Sequence, residues 1–431
     1  MSTGNSGELK NVDRLTQRIR GDVNIYQLIS PVNESDEKRR FEQHVHGEPP
    51  TSVEDVGQEV VESITKDTLL NSVSLDHDVT AEELEMLDPW TPDFRYSEPG
   101  DYSEESAQLQ DARNTVDSSD VSEPVRDVYH DTLDEMDALV DIAHGVGDPG
   151  AVRDASRRIY GEPSEEALEW ARDTLESVEP EDPQEEEFTA TQMGDSIEAA
   201  LDTLDMEDWS VSYSEKGVVS VNGANQEILV PEEREFTENE MKRLLVHEVG
   251  THALRGANGY EQDYEILGSG TGGYHAAEEG LAFFIEKATG LADPNLERKY
   301  AGRVLSVDSV MNGDDLAETY RMNRELGFDH DQSWSLATRA HRGGGFIKDH
   351  VYAEGYQQVE EYLEDEGGNL GDLMLGKVSI EQGKALSEHE GLEAKYNPVE
   401  LLENLDELTP ESVDTSDVDT EALEKYYSSI T

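Results

Sequence analysis

The stretch "VHEVGTH", residues 246–252, puts two histidines and a glutamate within six positions of one another. A hydrolytic zinc site takes three protein ligands, commonly neutral imidazole and carboxylate, and leaves a fourth position open. His247 and His252 supply two donors. Glu248, beside the first, has the chemistry of a general base that takes a proton from an activated water and passes it to a leaving amine. The spacing needs explaining. Two ligands on one helical face ordinarily stand at i and i+4, whereas five positions of ~100° each turn His247 and His252 ~140° apart. One inserted residue, a π-bulge, absorbs the difference, and Gly250 sits where backbone deformation costs least. The third ligand must come from another element. Glu278 and Glu279 open the helical stretch "HAAEEGLAFFIEKATG", and because neighbours on a helix point ~100° apart, spacing leaves both open.

A peptidase that cuts at a C-terminus must also hold a free carboxylate, which Arg binds with a two-pronged fork. Arg339, Arg342 and Lys348, in "LATRAHRGGGFIKDHVYAEGY", form a cationic patch in an acidic chain. Tyr274, Tyr352 and Tyr356 are candidate donors to a developing oxyanion, and His275 is a candidate ligand or donor. His341, His350 and His389 have no spacing that implicates them and are read as structural or exposed.

The elements that must position these groups are partly legible. "TENEMKRLLVHEVGTHALRGANG" opens with Thr237 and Glu240 in capping-box register. Met241, Leu244, Leu245 and Glu248 follow at helical spacing, and Asn258-Gly259 is a plausible stop. Before it, "WSVSYS", "GVVSVNG" and "EILVPE" read as a small antiparallel sheet. Residues 1–15 read as a disordered start, 16–190 as a mostly helical region with acidic loops, 191–405 as the catalytic domain and 406–431 as an acidic C-terminal segment.

Composition bounds the rest. The 431 residues carry 99 Asp+Glu against 33 Lys+Arg, a net charge of -66, with a hydrophobic fraction of 35%. The acids are spread along the whole chain, which points to a folded protein kept soluble in high salt rather than to disorder. The scarcity of Lys and Arg argues against nucleic acid, and no apolar run has membrane-spanning length. Cys is absent, which excludes thiol chemistry and disulfides. With no hydrophobic signal core at the start, the expected location is the cytoplasm.

Together, "HEVGTH", "EEGLA" and "RAHRGGGFIKDHVYAEGY" resemble the tyrosine carboxypeptidase-like metallopeptidases, known in bacteria by a QEGLA motif and in animals as the microtubule-associated tyrosine carboxypeptidases. The resemblance implies His247 and His252 as zinc ligands, Glu248 as acid/base and Glu279, directly before "GLA", as third ligand. The resulting expectation is a predominantly helical α+β protein with a zincin-like catalytic domain and a small antiparallel sheet beside the active-site helix. It would use one zinc ion to remove C-terminal, Tyr-like residues from peptides or proteins, with Arg339, Arg342, Lys348 and Tyr352 binding substrate. The rival readings are a zinc hydrolase acting on a non-peptide amide and a silent metal-binding regulatory protein.

Overall fold

The computed structural model describes residues 6–22, 28–32, 34–45, 94–96, 101–182, 184–215, 217–388 and 392–427. Among the described residues six helices come first: α1 (Ser6–Asp22), α2 (Glu34–Val45), α3 (Ser103–Ser118), α4 (Glu123–Gly145), α5 (Pro149–Tyr160) and α6 (Glu165–Ser177). Within the stretch 1–15, expected to be disordered, residues from Ser6 onward belong to α1. Leu9, Val12 and Ile19 of α1 are buried in one cluster with Leu109 and Val116 of α3 and Tyr129, Leu133 and Met136 of α4. That cluster also contains Ile266, Leu267, Val378 and Leu386, so the N-terminal helices share a core with residues far down the chain. Among the described residues no helix is long and apolar enough to cross a membrane.

Next come β1 (Glu186–Thr189), α7 (Ala190–Thr203), β2 (Ser210–Ser214), β3 (Ser220–Asn222), β4 (Glu227–Pro231) and β5 (Glu235–Thr237). β1 pairs with β5, and the other three make a sheet of order β2-β4-β3. The expected antiparallel sheet is mixed. β3 and β4 are antiparallel, Val221 opposite Ile228, whereas β2 runs parallel to β4, Tyr213 opposite Val230. The tight turn between β3 and β4, with Gln226 at φ 51°, makes those two neighbours. The chain leaving β2 has already crossed to the far edge, so β2 takes the free side of β4. Ile228 and Val230 alternate inward and are fully buried.

The segment from Glu238 to Glu261 is one rod in three parts: α8 (Glu238–Leu244), a π-helical segment Leu245–Ala253 and α9 (Leu254–Glu261). Its start follows the capping box, with Thr237 accepting from the Glu240 amide and Glu240 from the Thr237 amide. It ends two residues past the expected stop at Asn258-Gly259. A short helix α10 (Ile266–Ser269) leads to α11 (Tyr274–Ala288), α12 (Pro294–Asn312), α13 (Leu316–Glu325), α14 (His330–His341) and α15 (Val351–Glu360). The acidic composition serves several of these starts: Asp293, Asp315 and Asp329 each cap a helix by accepting an amide hydrogen of its first turn, where a carboxylate also meets the positive end of the helix dipole.

α11 and α15 cross at glycines. A Cβ on Gly280 would lie 2.0 Å from the Gly355 carbonyl carbon, and one on Gly355 would lie 1.8 Å from the Ala276 oxygen. The "EGLA" and "AEGY" motifs are thus two halves of one backbone contact, which brings Lys348 and Tyr352 beside Glu279. Gly280→Ala or Gly355→Ala should force the helices apart at a cost of about 1–3 kcal/mol or more, read as a drop in unfolding midpoint together with weaker metal retention.

Asp13 of α1 gives a pH-dependent counterpart. It is buried, accepts from the Tyr129 hydroxyl at 2.7 Å, and burial pushes its carboxyl from 3.8 up to about 7. The folded chain therefore keeps a proton that the unfolded chain releases. This contribution to stability is complete below about pH 4 and is lost as pH rises through 7. Asp13→Asn should gain in midpoint relative to the parent across that window, a difference that cancels the response of the other carboxylates.

Candidate metal centre

The five-residue spacing is accommodated by the π segment itself. Widened turns over Leu245–Ala253 carry both imidazoles to one face, with ring centroids 4.7 Å apart and planes at 88°. Gly250 is not required by space, since an added Cβ would make only ordinary contacts, the nearest with Leu401 at 3.6 Å. α11 packs across this face and offers Glu279. One ligand atom from each of His247, His252 and Glu279 lies within 4.8 Å of the others. A tetrahedral zinc with bonds of ~2.0–2.1 Å sets its ligand atoms roughly 3.4 Å apart, so small side-chain movements suffice to close on an ion.

Each imidazole is held from behind. The Nδ1 of His247 is 2.9 Å from Glu286 Oε1, and the Nδ1 of His252 is 2.9 Å from Glu278 Oε1. A carboxylate at Nδ1 makes that nitrogen the donor, leaving Nε2 with its lone pair free, the form that binds a metal. The donor set therefore fits a zinc-like divalent ion. The alternative left open by spacing also resolves in geometry: Glu278 faces away from the cluster, bound to His252, to Lys377 at 2.6 Å and to Arg255.

These carboxylates are buried, and their protonation follows their partners. Burial opposes the charge on Glu279, but Lys348, His252 and His247 outweigh it and hold the carboxyl at about 2. Burial likewise opposes the charge on Glu278, but Lys377, Arg255 and His252 hold its carboxyl well below the usual range, and His247 and Arg243 lower that of Glu286. Glu248 differs. Burial, reinforced by the charge of Glu279, pushes it up to about 7 against the pull of His247, Arg243 and Lys377, the range in which a carboxylate exchanges protons near neutrality.

The other expected residues divide. Lys348 Nζ is 3.5 Å from Glu279 Oε1, and Tyr352, half-buried beside it, feels the charges of Glu279 and Lys348. Arg339 donates to Asp349 from Nε and one terminal nitrogen, at 2.6 and 2.9 Å. Arg342 lines a separate cavity with Ser30, Glu34, Lys38, Asp331 and Trp334. Tyr356 donates to Glu360 and Tyr274 lies under Arg20, 5.7 Å from its guanidinium carbon. His275 rests against Glu135 at 3.6 Å. His341 bonds Thr319, His350 bonds the carbonyls of Ile347 and Tyr160, and His389 lies outside the described residues.

Sequence reasoning missed Glu286, Arg243, Arg255 and Lys377. Glu286 had a signal: it stands seven residues after Glu279, two turns along the same helical face. Lys377 had none, since it arrives from a distant loop.

Compared with known protein families, residues 88–410 match the family described as microtubule-associated tyrosine carboxypeptidase. The chain belongs to that family. No curated protein matches it. Membership in the tyrosine carboxypeptidase family implies a peptidase whose substrates are proteins or peptides, and the site just described brings a carboxylate of raised pKa beside a trio of metal-capable donors. His252→Ala and Glu279→Gln should abolish stoichiometric metal, whereas Glu286→Gln should weaken affinity about 10–100-fold. Elemental analysis and chelator competition read both, and unchanged affinity in Glu286→Gln would remove the orienting role of that carboxylate.

Proposed function

We propose that this chain is a zinc-dependent carboxypeptidase that removes C-terminal, aromatic residues. The observation that carries the reading is the largely enclosed trio of His247, His252 and Glu279, with both rings oriented through Nδ1 and Glu248 alongside. Those three residues would hold the ion. When bound, it supplies Lewis-acid activation of water and of the scissile carbonyl.

The chain's own groups do the rest. Glu248 accepts the proton of the attacking water and returns it to the departing amine. The Tyr352 hydroxyl, kept protonated by burial and by the negative charge of Glu279, donates a hydrogen bond to the oxygen that gains charge. Lys348 adds a cation on the same side. β3, an edge strand packed on the π segment, offers its free edge to an extended peptide, in the manner of strand addition and in keeping with a zincin-like arrangement of sheet over helix. The dispersed acidic surface extends the proposal to a cytoplasmic enzyme of a salt-rich cell, where screening tempers the net charge of -66.

Purified protein should contain one zinc per chain and release the last residue of peptides with free C-termini, sparing their amides. Glu248→Gln should keep the metal and lose at least about 100-fold in kcat. In the parent enzyme kcat/KM should fall as pH drops below the pKa of Glu248, which the bound cation brings under its metal-free value of about 7. A variant with full turnover, or a profile flat on the acid side, would take the base role away from Glu248.

A further inference from the structure

A carboxypeptidase must grip a carboxylate one residue beyond the bond it cuts, and consecutive residues are only ~3.8 Å apart at Cα. The grip must therefore adjoin the metal ligands. Arg339 is bound to Asp349 and Arg342 faces another cavity, so neither residue fits. A third guanidinium reaches the Glu279 side of the site through Tyr352, which feels both charges. Arg303, on α12, has its guanidinium carbon 4.6 Å from the centre of the Tyr352 ring and 5.2 Å from that of Tyr300. The two rings are themselves stacked at 4.6 Å and 18°. Tyr300 stands one helical turn before Arg303, and Tyr352 follows Lys348 by one turn, so the stack ties α12 to the wall that carries Lys348.

Arg303 is short of hydrogen-bond partners, as Arg126, Arg324 and Arg342 also are at Nε. Its Nε is buried and has no hydrogen-bond partner among the described residues. Asp349, the carboxylate on which its charge acts, already has both oxygens taken by Arg339. With 99 acidic residues against 33 basic ones, carboxylate partners for an arginine are abundant, and this one is left with an aromatic ring on one side and an unsatisfied buried N–H. A cation–π contact holds the guanidinium in place without consuming its donors.

We infer that Arg303, with Lys348 beside Glu279, receives the free α-carboxylate of the substrate's last residue, and that the side chain of that residue lies against Tyr352. The inference rests on the peptidase reading above and adds the residue that makes the enzyme C-terminal in its choice. Arg303 binds the end of the peptide in two-pronged fashion, Lys348 contributes a point charge, and an amidated end loses the ion pair with both.

The test is binding, so that it does not depend on turnover. Zinc-loaded Glu248→Gln protein is titrated calorimetrically, at fixed ionic strength, with a pentapeptide ending in tyrosine and with its C-terminal amide. The free acid should bind at least ten-fold tighter than the amide. Adding Arg303→Gln should bring the two affinities level, and Arg303→Lys, which keeps the charge but not the fork, should leave an intermediate preference. The lysine variant carries the test if the glutamine variant shows a lowered unfolding midpoint. A preference for the acid that survives both substitutions overturns the assignment to Arg303 and leaves the peptidase reading standing. Equal binding of acid and amide by the Glu248→Gln parent overturns carboxylate recognition at this site altogether. Arg303-dependent discrimination in a wild-type protein that hydrolyses neither peptide keeps the inference and sinks the peptidase reading.

Discussion

Four buried glutamates converge on one short stretch of helix, and their mutual repulsion is the constraint that organises everything near them. Glu248, Glu278, Glu279 and Glu286 gather around His247 and His252, and a buried carboxylate without a partner costs several kcal/mol. A chain with 33 cationic residues commits Arg243 to Glu286, Arg255 and Lys377 to Glu278, and Lys348 to Glu279. Glu248 alone lacks a dedicated cation, and it is the one pushed toward the neutral form. The same scarcity that leaves the surface acidic thus concentrates positive charge where the chemistry would occur.

The charge compensation also explains why distant parts of the fold are needed. Lys377 comes from a loop whose carbonyl accepts from Thr271, and Leu267 accepts from the Lys377 amide at 2.7 Å. Arg20 of α1 donates to the carbonyls of Ser269 and Gly270 and pairs with Glu135 of α4. The glycine-rich loop that launches α11 is therefore gripped by the N-terminal helices, and the position of Glu279 depends on contacts made more than 200 residues earlier in the chain.

Much of the site could be read from types and spacing because the relevant signals are local. Thr237 and Glu240 announce the rod, the interval from His247 to His252 demands a widened turn, and a glutamate pair at the start of the next helix must lie near. What escaped was contact between elements remote in sequence. "RAHRGGGFIK" reads as a cationic patch, yet Asp349, ten residues on, claims Arg339, while Arg303 sits in an unremarked helix and meets Tyr352 only through folding. The parallel β2–β4 pairing was hidden for a like reason: alternation in "WSVSYS" and "EILVPE" specifies strands but not their relative direction.

The π segment phases all that follows it. Past Ala253, Arg255 must meet Glu278, Asn258 must bind the backbone at Lys395 and Tyr396, and Gly259 must pass against Leu267. Removing one residue between the histidines would restore a regular helix and a conventional i, i+4 pair, yet it would swing each of those downstream partners by ~100°. The irregular spacing is consequently locked in: reverting it is not a local repair, because every contact beyond Ala253 is phased by the extra residue.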